Sequence, residues 1–119
     1  MDSIKLFDSE LKIMEVVWEK EPVSAKEISL IAADTIGWNK NTTYTVIKKL
    51  IDKKMIERSD PNFICTSLIK KVNVQKAETQ NLIDKLYKGS KKAFLAAFID
   101  EHISDEEFLE LRKLIEKRD

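Results

Sequence analysis

The stretch NKNTTYTVIKKL, Asn39 to Leu50, carries the side chains best suited to specific chemistry in this chain. Thr43, Val46, Ile47 and Leu50 keep helical spacing and can be buried together, which leaves Asn41, Thr45 and Lys48 on the far side with Thr42, Tyr44 and Lys49 beside them. These are poor helix formers: Thr42, Thr43, Thr45, Val46 and Ile47 each cost up to roughly 0.7 kcal/mol relative to alanine. Covering a core requires no such penalty, so the outer face calls for another use. An amide, a hydroxyl beside a methyl, and an ammonium are groups that read base edges. Asn pairs with adenine, Thr offers its hydroxyl and packs its methyl on thymine, and Lys reaches guanine or phosphate. The competing reading is a solvated face whose β-branched residues have no role.

Other reactive side chains point to no chemistry of their own. His102 stands between Glu101 and Ile103 with no Ser or Cys nucleophile near it, so it reads as a surface histidine. Cys65 alternates with apolar neighbours and reads as a small buried hydrophobe. One cysteine excludes an internal disulfide, and with one histidine it excludes a Cys/His zinc site within one chain. No Gly-rich phosphate loop, nucleophile–base pair or metal constellation occurs, which argues against an enzyme and implies no cofactor.

The charge is zero overall, with 21 basic and 21 acidic residues, yet it is unevenly spread. Residues 1–36 hold 4 Lys against 8 acids, residues 37–97 hold 13 Lys and Arg against 5, and residues 98–119 hold 4 against 8. A basic middle between acidic ends suits a surface that faces phosphates.

The elements that must position these residues follow from local signals. Asp8 can cap a first helix whose Leu11, Met14, Val17 and Trp18 form a stripe, and Pro22 forbids its extension. Ser24-Ala25-Lys26-Glu27 is a capping box opening a second helix with Ile28, Ile31 and Ala32 inward, ending before Gly37. The third runs from about Asn39 to Lys53. MIERSDPNFICTSL then gives two short β-like runs about an Asp60-Pro61-Asn62 turn, a two-stranded hairpin. Three helices and a hairpin are the order of a winged helix-turn-helix, which makes helix three the candidate for a DNA groove. Trp18 and Trp38 read as core or core-edge residues.

From Val72 the pattern changes. Val72, Val74, Ala77, Leu82, Ile83 and Leu86 lie along a helix stopped near Gly89, KKAFLAAFIDEH forms a second, and EEFLELRKLIEK a third behind the capping box Ser104 to Glu107. Within one chain these helices lack partners to bury Phe94, Leu95, Phe98, Phe108, Leu111, Leu114 and Ile115. A second subunit can supply them; packing back on the winged domain is the alternative. The fold class is therefore mainly α with a small β-hairpin wing: a winged helix-turn-helix domain over residues 1–71 and a helical dimerisation domain over residues 72–119. No apolar run reaches the roughly 18 residues of a membrane span and the first ten residues lack a signal-peptide core, so the expected compartment is the cytoplasm, without membrane insertion.

The run from Phe7 through Trp18, the Trp38 ahead of helix three, the segment NTTYTVIKKLIDKKMI, and LYKGSKKAFLAAF followed by ISDEEFLELRKLIEK together resemble the bacterial penicillinase-repressor family. That family represses β-lactamase and methicillin-resistance genes and has a copper-responsive branch. Branch members end in a cysteine cluster, whereas this chain ends LRKLIEKRD. Lys54 stands where relatives often place Gly, and Arg58 is the only basic residue of a short wing. The resemblance implies a homodimer on a near-palindromic double-stranded operator. DNA contacts would come from Lys40, Asn41, Thr42, Tyr44, Thr45, Lys48, Lys49, Lys53 and Arg58. The dimer interface would come from Leu82, Leu86, Phe94, Leu95, Phe98, Phe108, Leu111, Leu114 and Ile115. It also implies release through a membrane sensor-protease activated by β-lactam, which leads to one cut in the middle C-terminal helix. The matching bond is Ala97-Phe98, with Ala93-Phe94 a nearby alternative, since the family site often has Asn before the Phe. Release by a small ligand, or a winged-helix module that binds another protein and no DNA, are the alternatives.

Overall fold

The computed structural model describes residues 5–118, although the side chain of His102, read above as a surface histidine, falls outside the description. The chain forms two compact units, one reaching Glu78 and the other beginning at Thr79.

In the first unit, α1 spans Asp8–Lys20 and buries Glu10, Ile13, Met14 and Val17. Asp8, expected as the cap, is instead the first helical residue, because the Glu10 carboxylate reaches back and its Oε1 accepts the Phe7 N–H at 2.8 Å. Leu11, expected inward, is exposed. The buried stripe at positions 10, 13, 14 and 17 is a regular helical face, but it includes a charged residue that periodicity of apolar side chains passes over.

A two-residue strand, β1 (Val23–Ser24), leads into α2 (Ala25–Thr35), where Ser24 Oγ accepts the Glu27 N–H at 3.1 Å. Helix α3 covers Lys40–Asp52 and is capped by Asn39, whose Oδ1 accepts the Thr42 N–H at 2.8 Å. Thr43, Val46, Ile47 and Leu50 are buried, so the outer face has the composition that the spacing requires. Each large side chain taken fully out of water there contributes roughly 1.5–3 kcal/mol. The helix ends in a paired return: Lys54 N–H donates to Ile51 O and Met55 N–H to Leu50 O, both at 2.9 Å. Lys54 has φ 62°, the left-handed conformation that favours glycine and costs other residues roughly 1–2 kcal/mol.

Strands β2 (Ile56–Ser59) and β3 (Ile64–Ser67) form the expected hairpin, but the sheet has three strands in the antiparallel order β1-β3-β2. Val23 pairs with Cys65 and Ile56 with Ser67. Glu21 fastens the far end of β3, accepting the Ser67 N–H at 2.7 Å. Trp18 sits at the core edge, its Nε1–H donating to Ile69 O at 3.0 Å, and Trp38 also packs against the core.

Helix α4 (Lys71–Tyr87) begins in the first unit and ends in the second, which continues as α5 (Lys91–His102) and α6 (Asp105–Glu116). Ser90 Oγ caps α5 through the Ala93 N–H, and Ser104 with Glu107 forms the capping box of α6. Phe94 meets Tyr87 and Phe98 with ring centroids 5.6 and 6.0 Å apart. Leu86, Leu95, Phe98, Phe108, Leu111, Leu114 and Ile115 are all exposed, and α6 has no buried residue. Between α5 and α6 lies an apolar groove of about 440 Å³ that includes Phe94, Phe98, Phe108, Leu111 and Ile115 in its walls.

Candidate nucleic-acid interface

On α3, Asn41, Thr42, Thr45, Lys48 and Lys49 are exposed, together with Lys40 in the first turn. Among the described residues Lys40, Lys48 and Lys49 make no ion pair, so their ammonium groups are available to an anionic partner. Thr45 Oγ1 donates to the Asn41 carbonyl at 2.9 Å. With that proton committed to the backbone, the side chain presents its methyl and its hydroxyl lone pairs outward. The arrangement suits a thymine methyl or a base amino group.

Tyr44 is half-buried and shared with the hairpin. Its ring meets Phe63 edge-on with centroids 5.8 Å apart, and Lys40 Nζ lies 5.7 Å from its centroid. Arg58, on β2, stacks its guanidinium carbon 3.7 Å from the Phe63 ring centroid and sets Nε 3.3 Å from Asp60 Oδ1. The hairpin turn is tight, with Asn62 at φ 77° and Phe63 at φ 51°. A bulky residue at positive φ costs roughly 1–3 kcal/mol and persists only where its surroundings hold it.

Lys53 is placed differently from the other lysines of this set. Its Nζ lies 2.7 Å from Glu10 Oε1, and it also lies 4.7 Å from the Phe7 ring centroid. Glu10 is 1% exposed, and its Oε2 has no hydrogen-bond partner among the described residues. The pair fastens the end of α3 to the start of α1, so a phosphate could engage Lys53 only by competing with a buried carboxylate. Lys53→Ala is expected to lower stability by about 2–3 kcal/mol, since it leaves Glu10 buried without its counter-charge. Chemical denaturation measures this, and Lys53→Arg, which keeps the charge, should recover most of the loss.

The structure thus brings the α3 residues, Tyr44 and Arg58 together on the first unit and adds two residues that sequence patterns missed. Phe63, which the β-like run after Asp60-Pro61-Asn62 would place in a strand, stands just before β3 at positive φ; its signal is an aromatic directly after a Pro-Asn turn. Glu10 had only the weak signal of an acid three residues into a helix. Cys65 is buried, and burial pushes its thiol up to about 11 while Arg58 pulls it down, so it stays protonated at neutral pH. Among the described residues no group of three His, Cys, Asp or Glu could hold a metal ion, and no helix is long and apolar enough to cross a membrane.

Comparison with known proteins agrees with this geometry. The chain is 28% identical over 117 residues to the methicillin resistance regulatory protein MecI of Mammaliicoccus sciuri, covering 96% of this chain and 95% of that protein. It is 27% identical over 115 residues to a penicillinase repressor of Staphylococcus aureus, covering 94% and 91%. Among solved structures, the DNA-binding domain of the repressor BlaI superposes with a TM-score of 0.55 at 24% identity, over 59% of this chain and 88% of that one. Monomeric Bacillus licheniformis BlaI, solved in complex with the blaP half-operator, gives 0.52 at 23% identity, over 60% and 90%. These two likenesses establish the winged-helix fold. The penicillinase repressor family itself matches residues 6–117, and the chain belongs to that family.

Proposed function

We propose that this protein is a dimeric transcriptional repressor of β-lactamase or related antibiotic-resistance genes, binding a near-palindromic operator and released by proteolysis in its C-terminal unit. The observation that carries the DNA-binding part is the outer face of α3, where Asn41, Thr42, Thr45, Lys48 and Lys49 are exposed while the core is filled from the other side. Asn41 and Thr45 read bases; Lys40, Lys48, Lys49, Tyr44 and the wing Arg58 contact phosphates; Lys53 acts chiefly as the latch to Glu10 and adds positive potential. The relative solved with a half-operator supports a DNA partner.

Dimerisation is supported by the apolar side chains that α5 and α6 leave in water, among them Leu114 and Ile115 at 66% and 68% exposure. Leu82 and Leu86, toward the end of α4, are exposed as well and would add to that interface. Cleavage at Ala97-Phe98 fits a position in the middle of α5 where both residues are exposed. The helix must unwind locally before a protease can hold the bond in extended form, and a sensor-protease in the membrane would supply the trigger.

A footprint on DNA flanking the protein's own gene tests the reading. Protection of two half-sites about one helical turn or a multiple of it apart is expected. A chain that shifts none of this DNA at low salt would leave a protein-interaction module in its place. A second reading, release by a small ligand, draws on the apolar groove between α5 and α6. An uncleaved chain in fully induced cells would favour it.

A further inference from the structure

Four side chains connect the wing to α3 in unbroken order: Arg58 on the Phe63 ring at 3.7 Å, Phe63 on Tyr44 at 5.8 Å, and Lys40 over Tyr44 at 5.7 Å. Cation, ring, ring and cation thus run from β2 to the first turn of the outer helix face. Phe63 is held by its backbone as well, since its carbonyl accepts the Ala25 N–H at 2.9 Å at the start of α2. Its left-handed φ would suit glycine or asparagine better, so backbone preference does not explain a phenylalanine here, and the half-buried ring reaches the core only at its edge. Its other face carries the one basic side chain of the hairpin, Arg58, which an aliphatic residue filling the same core edge would not hold.

We propose that Phe63 is a positioning residue for DNA binding, holding Arg58 at a fixed offset from α3 so that wing and helix meet the phosphate backbone together. The inference rests on the DNA-binding reading above. An arginine on a short exposed strand has several rotamers open to it, and ordering them on binding weakens the contact. Stacking on a ring that is itself clamped against Tyr44 restricts them beforehand. Asp60, 3.3 Å from Arg58 Nε, is the counter-ion that the guanidinium exchanges for phosphate. A branched aliphatic side chain at position 63 would fill similar space without offering a π face, and the guanidinium would wander.

The test uses the full chain and fluorescence anisotropy on a duplex from the region upstream of its own gene, across a series of KCl concentrations. Arg58→Ala should lower the slope of log affinity against log salt by about 1.8 for the dimer, since each subunit loses one phosphate contact worth about 0.9. Phe63→Leu should reproduce most of that slope change and weaken binding about 5–30-fold, because each of the two subunits loses an exposed cation–ring contact worth about 2–5-fold. Phe63→Tyr should restore both, and Phe63→Leu added to Arg58→Ala should cost nothing more. Asp60→Asn should strengthen binding in the presence of Arg58 and leave the Arg58→Ala protein unchanged. A Phe63→Leu protein with the parental slope, or a loss fully additive with that of Arg58→Ala, overturns the proposal. Should Phe63→Leu fail to fold, Asp60→Asn decides: an affinity it does not alter also overturns it. A parental chain that binds no duplex at all removes the DNA-binding reading together with this one, whereas parental binding indifferent to Phe63 removes this one alone.

Discussion

A chain ending at Ala97 is expected to sediment as a monomer and to leave the operator empty at concentrations where the full chain saturates it. The deletion removes Phe98 and the whole of α6, whose Phe108, Leu111, Leu114 and Ile115 are exposed in the single chain. If these five side chains are buried between subunits, each contributes roughly 1.5–3 kcal/mol, and losing five from both partners exceeds the roughly 5–15 kcal/mol margin on which folded proteins rest. The winged unit keeps its core, which draws nothing from residues beyond 97. It can still meet one half-site, but linkage of two half-sites is worth on the order of 10²–10⁴ in affinity, and that gain disappears. Leu111→Asp makes the same test in the intact chain by setting an unpaired charge in the interface. A truncated or Leu111→Asp protein that remains dimeric and binds as before would refute the interface.

How much of this was legible in the sequence depended on the range over which each signal acts. Helix α3 was readable because Thr43, Val46, Ile47 and Leu50 repeat within one element, and its outer face followed by subtraction. The caps Ser24, Asn39 and Ser104 act across three residues. Strand β1 was not readable: two residues, Val23 and Ser24, are too few to show alternation, and their partners Cys65 and Ile64 lie some forty residues away. The inward turn of Glu10 was hidden for a related reason. A carboxylate can be buried here because Lys53, 43 residues later, arrives to meet it. Local patterns carry no record of that meeting, so in the sequence Lys53 looks no different from Lys40, Lys48 and Lys49. The stack of Arg58 on Phe63 depends on the backbone of one turn, and a Pro-Asn signal announces a turn without saying where the next ring will point.

Operator affinity is expected to collapse with salt. A dimer using Lys40, Lys48, Lys49 and Arg58 from each subunit makes about 6–10 phosphate contacts, which corresponds to a loss of roughly 10³–10⁵ between about 50 and 200 mM salt. Base contacts act differently. Asn41→Ala or Thr45→Ala should narrow the difference between the operator and a mutated operator by about 1–3 kcal/mol per good contact while leaving the salt slope nearly unchanged. Titration by anisotropy at several salt concentrations separates the two behaviours. A flat salt response would remove the basic face of α3 from the interface, and equal losses on both duplexes would remove Asn41 and Thr45 from base reading.

The order of the three strands also bears on whether copies of the winged unit can pair through their sheets. With β3 in the middle, the sheet's open edges belong to β1 and β2. An open edge is a template on which another chain can add a strand, and the hazard grows with its length and flatness. Here one edge is two residues long, and the other presents Glu57, Arg58 and Ser59 exposed in sequence. Copies crowded side by side along DNA therefore meet a charged rim and find nothing to zip onto. The wing, proposed to touch DNA, is guarded against pairing with its own kind by the same exposed Arg58.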